Sequence, residues 1–251
     1  VNEEPSSGTE SEPDMNPFFV ESDLFLRFPP FDRIEDQHYR PAFERGMREQ
    51  LAEVQSIAGN PEPASFENTL VALERSGALL DRVSRVFFAM ASANTNDTIE
   101  EVRSEMAPKL AAHRDAILLN AALFERIRAV HEARDRLELD PESKRLVEET
   151  YRRFVRAGAE LSDSDKERLK AYNAELATLQ TEFSQNVLGE VNDKAIVVED
   201  AAGLAGMSEA EIAAAREAAE SRDLPGQYVL PLLNTSGQPA LASLEDRALR
   251  Q

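Results

Sequence analysis

One stretch limits what this chain can become more than any other. From Ser164 to Val191, large apolar residues recur at Leu169, Tyr172, Leu176, Leu179, Phe183, Val187 and Val191, at intervals of 3, 4, 3, 4, 4 and 4. A helix, with 3.6 residues per turn, gathers such positions onto one face. At 1.5 Å per residue the pattern predicts a rod roughly 40 Å long. A rod with a single apolar stripe packs along a neighbour or pairs as a coiled coil. The chain built around it is expected to be mainly α.

The residues before the rod repeat the theme. Phe43, Met47, Leu51, Val54 and Ala58 mark a helix over 36–58, with Pro41 tolerated in its first turns. Ser65 is a good cap for a second helix over 66–92, whose buried face is Phe66, Leu70, Leu73, Leu80, Val83, Phe87 and Met90. A third, over 98–119, is capped by Asn96 or Asp97 and carries His113 in its apolar stripe, with a kink expected at Pro108. Shorter helices follow over 121–137 and 142–157, the latter opened by Asp140 and Pro141.

Two segments differ in character. Residues 16–34 are apolar, broken by proline and aperiodic, and read as an extended arm whose Phe18, Phe19, Phe25 and Phe28 pack on the helical body. After Asn192, "AIVVED" (195–200) and "QYVLPLL" (227–233) are short and apolar, the first rich in β-branched residues, and predict two strands. A helix over 208–223, capped by Ser208, lies between them, and "ALASLEDRALRQ" (240–251) opens another with no stop signal. The expected organisation is an acidic disordered tether over 1–15, the arm over 16–34, a helical domain over 35–192, and the start of a small α+β element over 193–251, cut within a helix.

Charge narrows the partners. There are 28 Lys and Arg against 47 Asp and Glu, a net charge of −19. That field repels nucleic-acid phosphate and anionic lipid. No apolar run reaches the length of a membrane span. With no cysteine, disulfides and thiolate metal ligands are excluded. The start at Val1, followed by "NEEPSSGTESEPD", leads to the expectation of a processed or trimmed N-terminus; one reading is a removed export signal and a bacterial periplasmic location, the other a trimmed start with a cytoplasmic location.

"VHEARDRL" (130–137) opens like the zinc-peptidase motif H-E-x-x-H. Two imidazoles reach one metal from one helix only at i and i+4. Position 135 holds Asp135, so His131 and Glu132 read as structural. No Gly-rich phosphate loop and no G-x-S-x-G nucleophile elbow is present. The residues themselves nominate no catalytic group and no metal ligand.

Four blocks carry a specific likeness: "FDRIEDQHYRPAFERGM" (31–47), "NPEPASFENTLVALERSGALLDRVSRVFF" (60–88), "MAPKLAAHRDAILLN" (106–120) and "QYVLPLLNTSGQPALASLEDRALR" (227–250). They resemble the N-terminal part of the peptidyl-dipeptidase branch of the thimet-oligopeptidase (M3) family. The resemblance implies the multi-helix N-terminal wall of the M3 (neurolysin-like) zincin fold, with a small β element near the C-terminus. It implies a zinc peptidase that releases dipeptides from the C-termini of short unfolded peptides, with its zinc ligands outside this segment. The segment's partners would then be those peptides and the remainder of its own catalytic chain. Oligopeptidase A, an endopeptidase of the same family, is the near alternative, and a non-catalytic helical peptide-binding module is another. Leu233, Asn234 and Thr235 are candidates for lining the cleft, because strand ends leading into turns often carry sites; a purely structural turn is the other reading of them.

Overall fold

The computed structural model describes residues 16–232 and 237–251. The acidic tether expected over 1–15 lies outside the described residues. The architecture is mainly α, with a two-stranded sheet. The helices are α1 (Tyr39–Ala58), α2 (Ala72–Arg75), α3 (Ala78–Ala93), α4 (Asp97–Leu118), α5 (Ala121–Ala133), α6 (Pro141–Arg156), α7 (Asp163–Asp193), α8 (Glu209–Glu220), α9 (Gly237–Ser243) and α10 (Arg247–Arg250). The strands β1 (Ile196–Val198) and β2 (Tyr228–Leu230) are antiparallel, with Val197 opposite Val229. The chain divides into two compact units, one up to Thr181 and one from Glu182.

The first unit is built on apolar faces that the helical periodicity predicts. Phe18, Tyr39, Phe43, Val83, Phe87 and Met106 close one cluster. Val54, Leu123, Ile127 and Phe154 close a second, and Leu70, Val130 and Val147 a third. Side-chain caps satisfy the N–H groups that open a helix. Asn96 accepts from Ile99 N–H, Asn120 from Leu123 N–H and Asp140 from Ser143 N–H, each at 2.9 Å. Arg126 of α5 ties down the connection before the second predicted helix: its guanidinium donates to the Asn60 and Glu62 carbonyls, both at 2.9 Å, and to Asn68 Oδ1 at 2.8 Å.

That second helix is not continuous. Residues Phe66–Val71 form a π-helical turn, α2 lasts four residues, and the chain breaks before α3. Gly77 makes the break with a left-handed φ of 77°, and its N–H is held by Glu53 Oε2 of α1 at 2.7 Å. The apolar spacing hides this, because the stripe resumes in phase at Leu79 and Leu80.

The arm divides in two. Phe18 is buried and Phe19 half-buried, as expected. Asn16 donates from Nδ2 to the His38 carbonyl at 2.8 Å, and Arg82 donates twice to the Phe18 carbonyl at 3.2 and 2.7 Å. Phe25 and Phe28, expected to pack on the body, are 86% and 60% exposed. The backbone turns them outward: Leu26 and Arg27 adopt consecutive positive φ values of 55° and 57°, a bend held by the Ser22 hydroxyl, which donates to the Phe28 carbonyl at 2.6 Å.

The second unit has its own small core of Val198, Leu204, Ala215, Tyr228, Leu230 and Leu244. Ser208 and Glu211 cap α8 reciprocally, a capping box. The helix expected from 240 onward is instead two short ones, α9 and α10, because the Asp246 carboxylate accepts from Ala248 N–H at 2.7 Å and starts a new turn.

Candidate functional site

The three histidines serve three separate places. His38 caps the turn before α1: its Nδ1 accepts from Glu35 N–H at 3.0 Å. His131 lies flat on Tyr151, with ring centroids 4.0 Å apart at 8°, and extends a stack that runs through Phe124 to Phe154. Burial, aided by the Arg134 cation, holds its imidazole below the usual histidine range. Asp135, which stands where the second zinc histidine would, is bound to Lys144 at 3.0 Å, and that hydrogen bond keeps its carboxyl below the usual range. His131 is therefore part of the α5–α6 packing, Asp135 an exposed ion-pair partner of Lys144, and Glu132 an exposed residue of α5. Among the described residues no three His, Asp or Glu side chains come together in a way that could hold a metal.

His113 is buried on α4. Its Nε2 donates to Gln50 Oε1 at 2.7 Å, and its Nδ1 has no partner among the described residues. Burial lowers its pKa. The unfolded chain takes up a proton near pH 6.5, where the folded chain still resists it. Stability is therefore present above about pH 6.5 and is lost as the pH falls below it. We expect the melting temperature to fall between pH 7.5 and 5.5, and His113→Gln, which keeps a donor toward Gln50, to flatten part of that slope. His131, displaced in the same direction, supplies another part. A melting temperature whose slope is unchanged in the variant would contradict this role.

One concavity lies between α4, the end of α6 and the first half of α7. It encloses about 290 Å³ and is lined by Arg114, Asp115, Leu118, Arg156, Asn173 and Leu176, among others. A neighbouring recess shares Arg114 and Arg156 and adds Arg152 and Arg153. Arg152 is occupied by Glu149 at 2.6 Å and Arg153 reaches Glu74 at 3.8 Å. Asp115 is buried and accepts from Asn173 Nδ2 at 2.8 Å, a tie between α4 and α7. Its carboxyl is raised by burial, with the Asn173 hydrogen bond and the charges of Arg114 and Lys170 opposing. The walls of the recess are of mixed character: Arg114 and Arg156 stand beside Asp115, Glu149 and the apolar Leu118 and Leu176. Its signal was present in the sequence: "RRFVR" (152–156) is a basic run in an acidic chain.

The cleft candidates Leu233, Asn234 and Thr235 lie outside the described residues. The strand before them, β2, is buried at all three positions.

No protein-family model matches the chain. Comparison with curated proteins does find relatives, and they are peptidases. The chain is 49% identical over 237 residues to the dipeptidyl carboxypeptidase of Escherichia coli, covering 94% of this chain and 35% of that protein. It is 48% identical over 236 residues to the dipeptidyl carboxypeptidase of Salmonella typhimurium. Oligopeptidase A of Haemophilus influenzae is 26% identical over 223 residues, covering 89% of this chain and 32% of that protein. The chain thus spans about a third of the length of the curated relatives it matches. The likeness drawn from the four sequence blocks is borne out, with dipeptidyl carboxypeptidase at the higher identity. Among the described residues no helix is long and apolar enough to cross a membrane.

Proposed function

We propose that this chain is the channel-forming N-terminal portion of a zinc-dependent peptidyl-dipeptidase of the thimet-oligopeptidase (M3) family, which removes dipeptides from the C-termini of short unfolded peptides. The supporting observation is the 49% identity with a dipeptidyl carboxypeptidase, sustained over 94% of the chain. The longer protein of which this chain would be part is the parent chain. Within it, 35–192 would form one helical domain and 193–251 the start of a small α+β element. Leu233, Asn234 and Thr235 would stand at the cleft.

The described residues do not fit zinc: His38 accepts from Glu35 N–H, His113 is bound to Gln50, His131 is stacked on Tyr151, and Asp135 is bound to Lys144. The zinc ligands and the catalytic groups would belong to the rest of the parent chain, and the segment is inactive alone. Purified residues 1–251 should retain no stoichiometric zinc after dialysis and should leave a blocked tripeptide uncut. Zinc-dependent turnover by that segment would refute the assignment.

Oligopeptidase A relatives at 26% identity over 89% of the chain support a second reading, an endopeptidase. Amidating a substrate's C-terminus separates the two in the parent enzyme: a dipeptidyl carboxypeptidase loses most of its rate, an endopeptidase does not. The charge of −19 weighs against a nucleic-acid ligand. Bacterial relatives support a bacterial location, and within the cell the proposal is the periplasm ahead of the cytoplasm. Fractionation of the native host tests this directly.

A further inference from the structure

Helix α7 is 31 residues long and Lys166 is its buried residue. The middle of the stripe that predicted the helix is bare, between half-buried Leu169 and Val191: Tyr172 is 58% exposed, Leu176 53%, Leu179 52%, Phe183 70% and Val187 49%. At 100° per residue these five fall within one narrow arc of the helix surface. Isolated side chains of this kind are normal on a protein surface, but a continuous row of them marks an interface.

The rest of the helix surface narrows what can cover it. Residues 171–189 contain two charged side chains, Glu175 and Glu182, in a chain that is 30% charged overall. Apart from Leu188, the other positions are Ala, Thr, Ser, Asn, Gln or Gly beside the apolar stripe. A helix that stays in water carries charge on its outer face; a coiled-coil partner carries it beside the seam. This one does neither. Depletion of charge around the whole circumference is the composition of an interior helix. An occupant that comes and goes, such as a short peptide, does not call for it. A second copy would bring Glu175 and Glu182 of two chains, each of charge −19, to one seam. The relatives supply the remaining candidate, since about two thirds of their length has no counterpart in this chain.

We propose that the bare face of α7 seats a segment of the parent chain beyond the one described, an apolar segment flanked by basic residues, so that α7 becomes an interior helix of the whole protein. The basic flank follows from charge: no Lys or Arg occurs between Lys170 and Lys194, whereas Glu175, Glu182, Glu190 and Asp193 do. The inference rests on the reading of this chain as part of a longer peptidase.

The test uses the full-length parent protein, in which Leu176→Cys, Phe183→Cys and, off the stripe, Ser164→Cys are introduced singly. No native cysteine in this region competes. Labelling by a maleimide, mapped by mass spectrometry, is expected to be at least a hundredfold slower at 176 and 183 than at 164 in the native protein, and equal at all three in urea. Equal labelling in the native, monomeric protein would overturn the proposal. So would protection that grows with protein concentration alongside a dimer in sedimentation, or protection that arises only when peptide substrate is added. None of these readouts uses activity. Protected cysteines in a protein that releases no dipeptides would leave the docking standing and remove the proposed function; exposed cysteines in an active dipeptidase would do the reverse.

Discussion

Replacing Phe87 by alanine is expected to cost about 3–5 kcal/mol of stability. Phe87 of α3 is fully buried, and its ring meets three others edge-on: Tyr39 at 5.0 Å, Phe43 at 5.1 Å and Phe88 at 5.3 Å. Tyr39 in turn touches Phe18 at 5.6 Å, so the ring joins α1, α3 and the arm. Alanine would leave a cavity that rigid helix backbones cannot close, and each edge-on pair contributes roughly 0.5–1.5 kcal/mol beyond the area it buries. Urea unfolding should show a lower midpoint with an unchanged slope. Phe25→Ala, at a ring 86% exposed, should stay within about 0.5 kcal/mol of the parent sequence. Similar losses at the two positions would refute the assignment of the core.

The second large effect concerns two glycines in helices. A Cβ on Gly46 would stand 2.9 Å from both Cα and N of Leu80, so α1 and α3 cross at backbone contact. Neither atom can swing aside, and the helices would have to separate. Gly46→Val is therefore expected to cost about 3 kcal/mol, from overpacking. Gly189 of α7 meets nothing within 4 Å. Gly189→Ala is expected to gain about 0.4–1 kcal/mol by restricting the unfolded chain. Thermal melts of the two variants should shift in opposite directions; shifts of the same sign would show that the helix crossing is not at Gly46.

Periodicity carried most of the fold because it reports one helix at a time. The stripes of α1, α4 and α7 and the caps at Asn96, Asp140 and Ser208 depend on residues within a turn or two of each other, and these were legible. What was hidden depended on distant partners. The break at Gly77 is fixed by Glu53 on another helix, and the outward bend at Leu26 by a hydroxyl and carbonyl six residues apart. The π-helical turn at Phe66–Val71 has no periodic signature that separates it from α-helix. At the candidate site, the false zinc pair was rejected on spacing alone, and the structure adds what the pair does instead. The recess around Arg114 and Arg156 has one trace in the sequence, the basic run at 152–156, but its other walls come from α4 and α7, which no single window of sequence spans. The stripe of α7 announced an interface but could not name the other side.

Among the described residues, the buried members of the first core cluster lie between Phe18 and Met106, with Leu110 packed against them. That has a consequence in time rather than in space. A ribosome adding about 5–20 residues per second needs roughly 7–30 s to proceed from Met106 to Gln251. Throughout that interval every side chain of the Phe18–Phe87 cluster is already polymerised, and once clear of the exit tunnel it lacks no partner. The arm, α1, α3 and the first half of α4 can therefore close early during synthesis. The bare stripe of α7 emerges later and must wait for its cover, so it is an apolar surface left open while the chain is being made.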